Sequence, residues 1–156
     1  NVLNTDKKLD AYDSGRIYYY LGDYQKAYLA LEEAKGKGGV DSYLYLGKAY
    51  AATGDYNYAS SVYSNYLSKQ GPDAEIYNQL GLCELAKKDY QKALEAFQAG
   101  KQIEGNSLMQ TLSFNEIVAY EYLQDYQKAA VLLKAYLQNY PDDQAAIREQ
   151  QFLSTR

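Results

Sequence analysis

A seven-residue phrase occurs four times in this chain. It reads Leu21-Gly22-Asp23-Tyr24-Gln25-Lys26-Ala27, then Thr53-Gly54-Asp55-Tyr56-Asn57-Tyr58-Ala59, then Lys87-Lys88-Asp89-Tyr90-Gln91-Lys92-Ala93, and last Leu123-Gln124-Asp125-Tyr126-Gln127-Lys128-Ala129. The aspartates fall at 23, 55, 89 and 125, so successive copies are 32, 34 and 36 residues apart. Self-similarity at that period marks stacked supersecondary units, each too thin to bury its own apolar face.

Every copy stands between two helical patterns. Before the first, Ala11, Gly15 and Tyr18 recur at spacings of four and three; after it, Ala27, Leu31 and Ala34 do the same. Each set shares one face of a helix, which predicts two helices per unit. Gly in the phrase can take the left-handed conformation that ends the first helix, and Asp can accept from the free N–H groups that open the second. Lys88 and Gln124 replace that Gly in the third and fourth copies, at a strain cost if the conformation is kept. Only Pro72 and Pro141 interrupt the chain, so long stretches are free to be helical.

Counted from residues 8, 40, 74 and 110, the units resemble the tetratricopeptide repeat family, a helix-turn-helix repeat. The second unit carries the family pattern most fully, with Tyr43, Leu46, Gly47, Tyr50, Gly54-Asp55-Tyr56, Ala59, Tyr63, Tyr66 and a late Pro72. The third reads Tyr77, Leu80, Gly81, Glu84, Asp89-Tyr90, Ala93, Phe97 and Gly100. The first reads Ala11, Ser14, Gly15, Tyr18, Gly22-Asp23-Tyr24, Ala27, Leu31 and Ala34. The fourth departs most, with Ser113, Glu116 and Ile117 where Tyr, Leu and Gly are expected, and a wider gap is predicted between its helices.

The resemblance implies an all-α fold, a right-handed α-solenoid of four repeats at about 8–41, 40–73, 74–107 and 110–143, followed by a cap helix over 142–154, in one domain spanning 1–156. The loops Gly36-Lys37-Gly38-Gly39 and Glu104-Gly105-Asn106-Ser107 are expected to be mobile.

Composition narrows the function. The chain of 156 residues is 47% hydrophobic, enough for a core without disulfide or metal staples. Its 16 Lys and Arg against 20 Asp and Glu give a net charge of −4, so no basic surface for a nucleic-acid backbone is expected. The absence of His removes the usual general base, the imidazole ligands and every His-activated nucleophile. The glycines form no phosphate-cradling pattern, and Glu32-Glu33 and Asp142-Asp143 read as a solvated face and a helix cap. We expect no enzyme, no cofactor and no metal.

Cys83 matches Ala49 and Ala119 of neighbouring repeats, at a small buried position, and is expected to be an inert thiol. No apolar run is long enough to span a bilayer, so no membrane insertion is expected of this domain, and residues 1–6 carry no signal-peptide pattern. Because the chain opens on Asn1 rather than Met, it reads as part of a longer protein. The composition fits cytoplasmic and membrane-tethered extracytoplasmic bacterial proteins alike.

Twenty Tyr against 3 Phe and no Trp is the unusual number, and it suits a recognition surface as well as helix interfaces with hydroxyls at the rim. The family resemblance implies a concave groove lined by the first helices. Carried over residue by residue, it places there Leu9, Tyr12, Arg16, Tyr19 and Tyr20; Asp41, Leu44, Lys48, Ala51 and Ala52; Glu75, Asn78, Leu82, Leu85 and Ala86; and Thr111, Phe114, Val118, Glu121 and Tyr122. Tyr45 and Gln79 border it. The candidate partner-binding residues are Tyr12, Arg16, Tyr19, Tyr45, Lys48, Asn78, Gln79 and Tyr122. A two-carboxylate clamp of the kind that holds acidic chaperone tails is not expected: its places hold Tyr12, Arg16, Tyr45, Glu75 and Gln79 in one register and Leu44, Lys48, Gln79, Thr111 and Asn115 in the next. The expected function is a non-catalytic scaffold binding a partner peptide or helix. A self-associating assembly protein and a regulatory piece of a larger enzyme or sensor are the alternatives.

Overall fold

The computed structural model describes residues 9–37 and 39–156. Among the described residues there are nine α-helices and no strand: α1 Ala11–Tyr20, α2 Tyr24–Ala34, α3 Gly39–Ala52, α4 Tyr56–Gln70, α5 Ala74–Ala86, α6 Tyr90–Lys101, α7 Met109–Tyr122, α8 Tyr126–Asn139 and α9 Gln144–Leu153. The chain divides into two compact units, one ending at Gly71 with α1 to α4 and one starting at Pro72 with α5 to α9. Within each unit the helices pack on their sequence neighbours, and α1 also touches α3.

The repeated phrase forms the same turn four times. Asp23, Asp55, Asp89 and Asp125 each accept through the side chain from the backbone N–H three residues on, at 3.1 to 3.3 Å. The backbone N–H of each Asp reaches back to a carbonyl of the preceding helix, as Asp23 does to Tyr18 at 2.9 Å. That geometry requires a left-handed residue just before the Asp. Gly22 and Gly54 supply it at φ +79° and +84°, and Lys88 and Gln124 hold it at +64° and +62° despite their side chains. The strain is accepted because the cap bonds and the flanking helices over-determine the turn.

Inside the helix pairs, a small residue faces a large one. In the first three, Gly15, Gly47 and Gly81 lie against Leu31, Tyr63 and Phe97, which are fully buried. A methyl group at Gly47 would run into the Tyr63 ring, and one at Gly81 into Phe97. Ile117 takes this place in α7. With Leu112, Leu133, Phe97 and the cap-helix residues Ala146 and Leu153 it belongs to the core of the second unit, but α7 and α8 touch more sparsely than the other pairs. A cavity of about 260 Å³ opens between them.

The cap helix α9 starts at Gln144, two residues later than the sequence suggests, with Asp143 accepting from Ala145 and Ala146. The loop before α7 is tied down rather than loose: Asn106 donates to the Ile103 carbonyl at 2.7 Å and accepts from the Leu108 N–H at 3.0 Å. In the other loop Gly39 already opens α3, and Gly38 lies outside the described residues.

Gly47→Ala is expected to cost about 1–3 kcal/mol, as overpacking of a close contact does, with the loss read from urea unfolding followed by circular dichroism.

Candidate functional site

The candidate residues divide between the units: Tyr12, Arg16, Tyr19, Tyr45 and Lys48 share one neighbourhood in the first, whereas Asn78, Gln79 and Tyr122 lie apart from one another in the second. In the first unit, α1 presents Tyr12, Arg16, Tyr19 and Tyr20 along one side, spaced as successive turns require, and α3 brings Tyr45 and Lys48 beside them. Tyr19 is the hub. Its ring meets those of Tyr20, Tyr24 and Tyr45 edge-on, with centroids 5.6, 5.7 and 5.5 Å apart. The Arg16 guanidinium lies over Tyr12 at 5.3 Å and over Tyr45 at 5.6 Å. Asp13 approaches it at 3.9 Å, with both side chains more than two-fifths exposed, so that ion pair fixes little.

The hydroxyls of Tyr20 and Tyr45 are 2.6 Å apart. Tyr45 is held below the ordinary phenol range by the hydrogen bond from Tyr20, aided by Arg16 and by the charge of Lys48. Tyr20 is raised, first by the same bond. The field of the two cations therefore favours the Tyr45 oxygen as acceptor and Tyr20 as donor. Tyr12 and Tyr19 are raised by burial. The patch is a half-buried sheet of phenol rings, edge to face, with a cation laid over it and one ring, Tyr20, more than two-thirds exposed.

In the second unit the three candidates behave differently. Asn78 is buried and accepts from Asn115 of α7 at 2.8 Å, so it links α5 to α7. Gln79 is half-buried and donates to Glu75 on its own helix at 3.4 Å. Tyr122 is 54% exposed and stacks on Tyr90 at 4.8 Å, with the rings within 14° of parallel.

Two titratable groups stand out beyond these. Cys83 is buried, and burial above all pushes its thiol up to about 11. Glu121 of α7 has an Oε1 atom that is buried and without a hydrogen-bond partner among the described residues. Burial first, and then the Glu149 side chain of α9 that it hydrogen-bonds, push its carboxyl up to about 8.

Sequence reasoning placed Tyr20 in the groove without making it a principal residue, and it missed Tyr24 as a ring of the patch. The signal was available in the run Tyr18-Tyr19-Tyr20, where consecutive rings on a helix point 100° apart and only two can reach one surface.

Paired helices closed by one recurrent capped turn, with polar and aromatic side chains on the exposed faces of first helices, make this an all-α helical-repeat protein of the solenoid class, a protein-interaction scaffold. Family models described as tetratricopeptide repeat match residues 44–107 and 114–143, together more than half of the chain, and the chain belongs to that family. The first helix pair lies outside the matched ranges, yet α1 and α2 are joined by the same turn. No curated protein matches the chain in sequence. Among solved structures, a crystal structure of MamA protein has TM-score 0.80 at 21% identity, covering 92% of this chain and 78% of that one. A MamA RS-1 ArsTM double mutant has TM-score 0.81 at 18% identity, covering 94% and 82%. A MamA AMB-1 structure has TM-score 0.70 at 24% identity, covering 92% and 84%. At these identities the likeness is one of fold. Among the described residues no helix is long and apolar enough to cross a membrane.

A raised carboxyl makes stability depend on pH in a defined direction. The folded chain keeps a proton on Glu121 that the unfolded chain releases at its ordinary value of 4.5. This group's contribution is therefore whole below pH 4.5 and is lost as pH rises through about 8. Glu121→Gln is expected to unfold at higher urea than the parent at pH 8, with the difference gone near pH 4; urea titrations at the two pH values read it. Cys83, protonated and covered, is expected to resist Ellman's reagent at pH 8 until the chain is unfolded, which absorbance at the thionitrobenzoate band follows.

Proposed function

We propose that this protein is a non-catalytic scaffold that holds a peptide or helical segment of a partner protein on the face made by α1 and α3, with Tyr12, Arg16, Tyr19, Tyr20, Tyr45 and Lys48 as the contact surface. The observation that carries this reading is the arrangement around Tyr45. Three tyrosine rings lie against it, the Arg16 guanidinium over it and the Tyr20 hydroxyl on its oxygen. Such a cluster offers wide contact area on side chains that have already lost their rotamer freedom, so a partner's binding energy is not consumed in ordering them.

In the second unit, Tyr122 is an exposed first-helix ring available to a partner, and Gln79 offers a rim hydrogen bond. Asn78 acts by positioning α7 through Asn115 rather than by meeting the partner. The partner is a protein, as the tetratricopeptide repeats indicate. A segment bearing acidic or amide groups beside apolar side chains suits a surface whose cations lie on aromatic rings.

The test is a capture experiment in extract from the source cells with the parent chain and a Tyr12→Ala, Arg16→Glu, Lys48→Glu variant of unchanged helical circular dichroism. A partner held by the parent is expected to bind the variant at least about 30-fold more weakly, the effect of losing anchors worth on the order of 2 kcal/mol. Equal binding by the two forms would move the contact surface elsewhere. Capture by neither, with sedimentation showing oligomers of the parent, would favour self-association.

A further inference from the structure

The cleft between α7 and α8 opens where Ile117 stands in place of the close-packed glycine and where a ring is absent. Where first and second helices of a repeat meet near their far ends, the second repeat places Tyr43 against Tyr66, with centroids 5.1 Å apart in edge-to-face geometry. Tyr43 is buried, and the space remaining beside the pair is about 160 Å³. The third repeat has Tyr77 at the same helix position, opposite Gly100, whose added methyl would meet the Tyr77 Cβ at 3.3 Å. In the fourth repeat the second-helix tyrosine is present as Tyr136, but its counterpart on the first helix is Ser113. The cavity there is larger, about 260 Å³, and both residues line it. The first-helix ring that the second and third repeats carry at this place is missing here, as it is in the first repeat, where Ala11 stands opposite Ala34 and a cavity of about 450 Å³ opens.

The walls suit that ring. Tyr136 and Tyr140, with centroids 4.8 Å apart, form an aromatic side, and Ile117, Leu132 and Met109 an apolar one. At the edge, Lys101 of α6 and Glu116 of α7 are joined at 2.9 Å, a donor and an acceptor within reach of a phenol hydroxyl. Neither a lone aliphatic side chain nor a charged one would use both kinds of wall.

We propose that this cleft receives a tyrosyl side chain presented by a separate protein partner, which would occupy the place that Tyr43 takes within its own repeat. The proposal is independent of the surface on α1 and α3. The site lies wholly within the second unit and needs only α6, α7 and α8.

Met109 is the sole methionine of the chain and lines the cleft, so its ε-methyl carbon labelled with ¹³C gives one unambiguous NMR signal. The full chain is titrated with N-acetyl-L-tyrosinamide and, separately, with N-acetyl-L-leucinamide. The tyrosyl probe is expected to shift the Met109 signal saturably and to bind about fivefold more tightly than the leucyl one, the margin an added ring-to-ring contact gives. Ser113→Tyr restores the missing ring from inside and is expected to abolish the shift, while Ser113→Ala retains it. If Ser113→Tyr does not fold, Ala135→Trp plugs the mouth from an exposed position on α8 and carries the same expectation. Equal affinity for the two probes, a shift that persists in the plugged variants, or no shift up to the solubility limit would overturn the proposal. So would a Met109 signal that moves on dilution of the protein alone, since the occupant would then be a second copy of the chain.

Discussion

The close contact between a small residue on the first helix of a pair and a large one on the second governs most of this architecture. Gly47 under Tyr63 and Gly81 under Phe97 let two helices approach until the ring rests on bare backbone. Interiors are packed densely enough that a single methyl there has no room. The approach fixes which sides of each first helix are covered, and with the helix period set, the remaining side is left for exposed residues. Tyr12, Arg16, Tyr19 and Tyr20 occupy that side of α1 because Gly15 is committed to Leu31. The capped turn does the complementary work at the end of the pair. Its left-handed residue and Asp cap reverse the chain within three residues, and the geometry is firm enough to hold Lys88 and Gln124 at positive φ.

The fourth repeat shows the effect of relaxing this contact. Ile117 stands where the other repeats have glycine, and it is buried in the core of the second unit, so the space it occupies is space that α8 gives up. Ser113 compounds the effect one turn earlier by removing a ring. The two substitutions act together: one props the helices apart, the other leaves nothing to fill the opening. Nearby on α7, Glu121 is a carboxyl whose surroundings favour the neutral form. The second unit thus combines a cavity between α7 and α8 with a partly buried carboxyl whose surroundings favour its neutral form.

Much of the fold was readable from the chain alone, because its determinants are local. The Gly-Asp phrase, the helix periodicity and the glycine positions each act within one helix pair, and the eight paired helices of the described residues, α1 to α8, fall where those signals put them. The site was readable only in part. That Tyr12, Arg16, Tyr19, Tyr45 and Lys48 share a neighbourhood follows from the repeat register. That the Tyr20 and Tyr45 hydroxyls meet at its centre does not, since this depends on which rotamers five large side chains adopt together. Asn78 shows the same limit from the other side. Its register position is a groove position, but Asn115 sits on α7 with a matching amide, and the pair closes on itself. Pairings between side chains 37 residues apart in sequence carry no signal in either segment taken singly.

The tyrosine excess takes on a specific meaning in this setting. A phenylalanine-rich surface would offer the same area but would gain more by collapsing inward or onto other copies, since nothing holds its rings at the rim. Each tyrosine here keeps a hydroxyl that needs water or a partner, and several find protein partners: Tyr20 with Tyr45, Tyr50 with Glu32, Tyr136 with Asp143 and Gln110. Those bonds orient the rings before any ligand arrives. Thin helical pairs have little dry interior to hold side chains still, so bonds between hydroxyls and neighbouring polar groups supply the rigidity that burial supplies in thicker domains. Abundant tyrosine is thus a structural solution for a two-layer repeat and, on the face where those rings remain half exposed, it leaves a surface whose rings are already ordered.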